Sequence, residues 1–181
     1  MKATFLVLAL VCLNAQAKSF KLTSPDLKPG GVMGEAQVFN SFGCTGQNIS
    51  PKLEWKNPPK DTKSFAVTVY DPDAPTGSGW WHWTVFNIPA TTFSLESGAS
   101  SDPAKMPPGS GQGRTDFGKP GYGGACPPVG DKAHRYIFTV YALKAEKLEL
   151  DAEASGAMVG YFLKQNAIGK DSITVKYGRK K

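Results

Sequence analysis

A chain of 181 residues with 40% hydrophobic and 20% charged side chains has enough apolar material for one domain with a full-sized core. Its formal net charge of +6 is scattered except at Gly178-Arg179-Lys180-Lys181, and no basic stripe with interleaved aromatics occurs, which excludes nucleic acid as an expected partner. A mild positive balance favours anionic ligands only weakly.

In chain order, Met1-Lys2 is a short basic start, residues 3–13 are an apolar run, and Ala15-Gln16-Ala17 is a small-x-small site, which reads as a secretory signal peptide cleaved after Ala17. The run is far shorter than the ~20 residues of a spanning helix, and no later stretch is more hydrophobic, so no transmembrane segment is expected. Cys12, preceded by Val11, does not read as a lipid-attachment site. The expectation is a single domain over residues 18–181, periplasmic or secreted. Loss of Cys12 with the leader leaves Cys44 and Cys126, an even pair that in an oxidising compartment reads as one disulfide; two free thiols are the alternative.

The 20 glycines and 14 prolines punctuate short runs rich in Val, Thr, Phe and Tyr, the pattern of a mainly β domain. Strands are expected at residues 20–23, 52–55, 64–70, 82–88, 134–143 and 172–177. One amphipathic helix is expected over 155–167, where Met158, Val159, Phe162, Leu163 and Ala167 recur at helical spacing. Asp151 or Ser155 would cap its start and Gly169 would supply a left-handed residue past its end. Residues 97–124 carry little apolar periodicity and read as a long irregular loop, in which Arg114 and Asp116 would pair to hold the segment together.

The chemistry-bearing residues gather in two segments. The apolar strand at 64–70 delivers Asp71 into the rigid turn Asp71-Pro72-Asp73-Ala74-Pro75. A flexible Gly77-Ser78-Gly79 connection follows, and then Trp80-Trp81-His82-Trp83, which would set a histidine among three indoles. The second segment is Cys126-Pro127-Pro128 followed by His134-Arg135-Tyr136. His134, Tyr136, Phe138 and Val140 are spaced by twos and share a face, polar at the strand's start and apolar deeper in. Both histidines of the chain thus stand at strand mouths beside proline-rich turns, as expected of one polar pocket.

These blocks, with Ala154-Ser-Gly-Ala-Met-Val-Gly160, resemble the phosphatidylethanolamine-binding protein (PEBP) family, also called Raf kinase inhibitor-like proteins, and are similar to its bacterial branch. The similarity runs over nearly the whole of residues 18–181. It implies a PEBP-like β-sandwich, a large antiparallel sheet packed on a smaller one with a few peripheral helices, and a surface pocket for phosphate-type anions or phosphorylated small molecules. Carried over by position, Asp71, His82, Pro128, His134 and Tyr136 match the family's pocket residues, and Cys126 stands where a glycine is usual. Mammalian members close the pocket with a C-terminal helix and a tyrosine; here a strand-like segment and Gly-Arg-Lys-Lys replace them.

In that reading both histidines donate ring N–H groups to a phosphoryl oxygen, more strongly when protonated, and Tyr136 adds a hydroxyl donor. Asp71 orients a histidine or receives an ammonium group. Binding of a phosphate monoester is then expected to weaken above pH ~7. The resemblance implies a non-enzymatic binder with no cofactor, and an inhibitor-like or scaffolding role toward a protein target. One alternative is a hydrolase or metal-dependent enzyme using His82, His134 and Asp71, although no local metal-ligand spacing supports it and Ser78 lies in a flexible Gly-Ser-Gly turn. The other is a protein-interaction module acting through the 97–124 loop.

Overall fold

A computed structural model describes residues 18–181; the expected signal peptide lies outside the described residues. Among the described residues eight strands form two antiparallel sheets. The large sheet has the order β6-β4-β3-β7-β8 and comprises β3 (Ser64–Asp71), β4 (Trp80–Pro89), β6 (Gly111–Gln112), β7 (His134–Leu143) and β8 (Ala167–Tyr177). The small sheet, β1-β2-β5, is built from β1 (Lys21–Thr23), β2 (Leu53–Lys56) and β5 (Ser94–Leu95). One α-helix, α1 (Gly156–Asn166), covers the outer face of the large sheet. No helix among the described residues is long and apolar enough to cross a membrane.

The centre of this arrangement follows from the sequence of β3, Ser-Phe-Ala-Val-Thr-Val-Tyr-Asp, whose one charged residue comes last. Phe65, Val67 and Val69 pack against Leu22, Leu53, Trp55 and Leu95 between the sheets. Ala66 points the other way, into a second cluster with Phe86, Leu143, Val159 and Leu163 beneath α1. A strand buried on both faces and hydrogen-bonded on both edges, by β4 and β7, must sit in the middle. Each large apolar side chain buried there contributes ~1.5–3 kcal/mol relative to exposure.

The helix meets its expected limits within a residue, and Ser155, not Asp151, caps it: Ser155 Oγ accepts from the Met158 amide at 3.2 Å. Asp151 instead accepts from Glu153 N in the preceding turn. The apolar stripe is narrower than its periodicity suggests, because Val159 and Leu163 are buried while Met158 is 52% exposed and Ala167 faces solvent. Gly169 is not a left-handed cap. The chain passes directly from α1 into β8, so the last strand starts five residues before the expected one, and Gly169 lies inside it. Its lack of a side chain serves packing instead, since a Cβ there would come within 2.6 Å of Pro59 Cγ.

The 97–124 segment is more ordered than its composition suggests. It contains two 3-10 turns and β6, which extends the large sheet beside β4. Arg114 and Asp116 do not pair. Arg114 binds Glu153 at 3.8 Å and its amide donates to Ala154 O, while Asp116 accepts from the Trp81 amide at 2.7 Å. The segment is therefore stitched to the start of α1 and to β4 rather than to itself. The Gly77-Ser78-Gly79 connection is also held: Tyr70 Oη donates to Ser78 O at 2.7 Å and Thr76 Oγ1 to Gly79 O at 2.5 Å.

Cys44 and Cys126 form a disulfide with a sequence separation of 82, beside Val38, Phe39, Phe117 and Tyr177. Closing a loop of that length stabilises the fold by up to ~4 kcal/mol on the chain-entropy model. The Cys44→Ser, Cys126→Ser double variant is expected to lose a few kcal/mol in urea unfolding, and wild-type protein measured with and without reductant should show the same gap. A second expected outcome concerns α1. Any side chain at Gly156 would collide with the Trp81 indole, whereas Gly77 has open space around it. Gly156→Ala should therefore destabilise by ~1–3 kcal/mol and Gly77→Ala by under ~0.5 kcal/mol, read as shifts in unfolding midpoint.

Candidate functional site

All six residues expected to form the pocket line a single concavity of about 200 Å³: Asp71, His82, Cys126, Pro128, His134 and Tyr136. They reach it from four sources, one of them β4, which carries His82. Asp71 is the last residue of β3, His134 and Tyr136 open the neighbouring strand β7, and Cys126 with Pro128 belongs to the loop before β7.

His82 arrives through an irregularity in β4. The pairing runs Val69 with Trp83 and Tyr70 with Trp81, so His82 has no partner on β3 and forms a β-bulge. Strict alternation would put Trp81 and Trp83 on one face and His82 on the other. With the extra residue, Trp81 lies against Gly156 and Gly160 of α1 and against Tyr70, while Trp83 enters the inter-sheet core and His82 meets Tyr136 on that same inner side. The three indoles thus diverge instead of enclosing the imidazole. The rings beside His82 are Phe117 and Tyr136, at centroid distances of 5.3 and 5.1 Å in edge-on geometry. Having no β3 partner, His82 pairs with Gly123: its carbonyl accepts from Gly123 N at 2.8 Å, and its Nδ1 lies 2.7 Å from Gly123 O.

Each histidine is held by one ring nitrogen. A carbonyl oxygen cannot donate, so His82 Nδ1 carries the proton. Burial holds this imidazole below its usual pKa, against the opposing pull of the Gly123 carbonyl and Asp71. His134 Nδ1 lies 2.7 Å from Asp71 Oδ2, and its Nε2 is 3.5 Å from Asp131 Oδ2. The other oxygen of Asp71 accepts from the amides of Asp73 and Ala74, so the carboxylate ties the histidine to the turn that follows β3. Of the roles open to Asp71, this geometry provides the orienting one. The arrangement differs from two histidines both aimed at a ligand as donors, because His134 stands between two carboxylates and His82 presents an unprotonated Nε2 when neutral.

Tyr136 is 1% exposed, and burial, reinforced by Asp71, pushes its phenol well up, so it stays a neutral hydroxyl. Trp80 also lines the cavity, and its indole N–H is buried with no hydrogen-bond partner among the described residues. The walls are apolar, with Phe42, Phe117, Pro75 and Pro127, and Phe42 remains 66% exposed at the rim.

Other residues that the sequence did not single out fix the surroundings. Arg135 donates through Nε and Nη2 to the two oxygens of Asp73, at 2.8 and 2.6 Å, and this guanidinium lowers the Asp73 carboxyl to about 2. The pair clamps the Asp-Pro-Asp turn to the start of β7. Asn48 joins the loop behind His82, donating to Tyr122 O and accepting from Gly124 N at 2.7 Å. Arg179 donates to Pro127 O at 2.7 Å and to Gly43 O at 2.9 Å, bracing both disulfide-linked loops from the C-terminal side. The arginine in Asp73's case could have been suspected from its place beside His134; Asn48 and Arg179 act across folds of chain that no local pattern predicts. Among the described residues no three His, Cys, Asp or Glu side chains are grouped to hold a metal ion. Ser78 is exposed and does not line the cavity.

Comparison with known proteins agrees with this architecture. The family model described as phosphatidylethanolamine-binding protein matches residues 23–178. The UPF0098 protein YbcL of Escherichia coli is 56% identical over 172 residues, covering 94% of each chain, and YbhB of the same organism is 54% identical over 157 residues, covering 87% of this chain and 99% of its own. The crystal structure of E. coli YbcL, described as a new member of the mammalian PEBP family, superposes with a TM-score of 0.87 over 89% of this chain and 99% of that one. A putative PEBP homologue from Chlamydia trachomatis, 27% identical, gives 0.74 over 89% and 98%. With the family model matched over residues 23–178 and both sequence and fold shared with these relatives, the chain belongs to the phosphatidylethanolamine-binding protein family.

Proposed function

We propose that this protein is an exported, non-enzymatic binder of small phosphate-type anions or phosphorylated small molecules, held in the cavity of Asp71, His82, Cys126, Pro128, His134 and Tyr136. The observation that carries this reading is the division of the cavity: two imidazoles, each fixed by a hydrogen bond to protein, and the Tyr136 hydroxyl are set among walls of aromatic and proline side chains. Such a site orients one compact polar group in a largely dry surrounding. Tyr136 Oη and the unpartnered Trp80 indole are its neutral donors.

Binding without turnover is supported by the hydroxyls and sulfurs nearby. Cys126 is spent in the disulfide, and Thr76, the lining residue with an aliphatic hydroxyl, donates that hydroxyl to Gly79 O rather than facing a base. Neither fits an activated nucleophile. Export is supported by the leader-like residues 1–17 and by the disulfide, which persists in oxidising compartments.

Titration with inorganic phosphate and methyl phosphate, followed by calorimetry and by side-chain NMR, tests this reading. Resonances of His82, His134 and Tyr136 are expected to shift together at saturation, with the phosphate ester recovered intact. Tyr136→Phe should weaken binding ~10-fold or more, the effect of removing a hydrogen bond to a charged group. Saturating phosphate that leaves both imidazoles unmoved would refute an anion site here.

A further inference from the structure

We propose that the cavity selects anions that carry a proton of their own, because His82 offers the ligand a lone pair and not an N–H. This deepens the anion-binding reading and rests on it. The argument is geometric. His82 Nδ1 lies 2.7 Å from the Gly123 carbonyl, an acceptor with nothing to donate, so the single proton of the neutral ring sits on Nδ1 and Nε2 is left as an acceptor. The reverse bond from Gly123 N to His82 O holds the Gly123 carbonyl beside the imidazole.

The neutral ring is the form that these surroundings favour. His82 is 3% exposed and lies between the edges of Phe117 and Tyr136. From β3, Asp71 faces it, but both Asp71 oxygens are committed, one to His134 of β7 and the other to the Asp73 and Ala74 amides. From the 113–125 segment, Asp116 faces it as well, but its Oδ2 is engaged by the Trp81 amide. From β7, the Tyr136 phenol stays protonated. No carboxylate hydrogen-bonds the His82 ring, and burial opposes its charging.

An oxyanion with no proton would therefore meet a lone pair at Nε2 and leave it facing negative charge. An oxyanion with a P–OH group would donate to Nε2 while its remaining oxygens accept from Tyr136. A phosphate monoester has such a proton below its second pKa, near ~6, and loses it above. Inorganic phosphate keeps at least one proton through neutral and mildly basic pH, and sulfate has none. The weakening with rising pH expected from histidine protonation thus has a different origin: the proton that is lost belongs to the ligand.

Calorimetry on the intact disulfide-bonded protein with methyl phosphate, inorganic phosphate and sulfate at pH 5.5 and 8.5 separates the two origins. Expected are an affinity for methyl phosphate that drops ~10-fold or more between these pH values, inorganic phosphate changing by under ~3-fold, and sulfate at least ~10-fold weaker than methyl phosphate at pH 5.5. Sulfate binding as tightly as methyl phosphate at pH 5.5, or methyl phosphate and inorganic phosphate weakening in parallel, overturns the proton selection while leaving the anion site intact. Binding of none of the three at either pH overturns both. The imidazole 15N resonances of His82 give an independent readout in unaltered protein: Nε2 should carry no proton in the free state at pH 7, and a doubly protonated ring there overturns the proposal. In His82→Gln, whose amide can turn a donor to the ligand, sulfate is expected to gain on methyl phosphate at pH 5.5.

Discussion

A strand with no solvent face cannot carry a charge until it leaves the core, and β3 meets this constraint at its final residue. Everything in the site is placed relative to that point. Asp71 emerges where the burial of β3 ends, and its carboxylate is satisfied at once by two amides of the following turn and by the imidazole of β7. An unpaired carboxylate at 2% exposure would cost several kcal/mol. The His134 contact and the Asp-Pro-Asp turn are thus conditions for the strand to terminate there, as much as they are parts of a binding site.

The support reaches outward from this point in layers. Arg135 fastens Asp73, the disulfide joins the loops carrying Phe42 and Pro127, and Arg179 holds a carbonyl of each loop. The long 97–124 segment closes the opposite side, with Asp116 on the β4 amide and Gly123 on His82. Its anchoring to Ala154 and Glu153 makes it part of the scaffold.

Much of this was legible in the sequence, for identifiable reasons. The strands at 64–70 and 134–143 are long, apolar and bounded by turns, so period and punctuation agree, and the spacing by twos correctly puts His134 and Tyr136 on the face of Phe138 and Val140. The site residues in the PEBP-like blocks converge on one cavity. What could not be read depends on register and on distant partners. The divergence of the three indoles and the tautomer of His82 both follow from a bulge that no composition signals. Ser155 and Gly169 show the same limit at the helix ends, where competing caps were equivalent on paper and a strand that follows without a turn removed the need for a left-handed residue. Arg114 and Asp116, close in sequence, are drawn apart by partners in the turn before α1 and on β4.

The bulge at His82 has a consequence for how this surface can change. One extra residue decides at once which side chain fills the seat beneath α1 and which enters the cavity. Deleting Trp81 would set His82 opposite Tyr70 and turn it toward α1, unseating the helix as it emptied the pocket. The shape of the cavity and the docking of α1 are therefore linked in this chain, whereas Phe42 and Pro128 at the rim can be exchanged without disturbing the strand's phase.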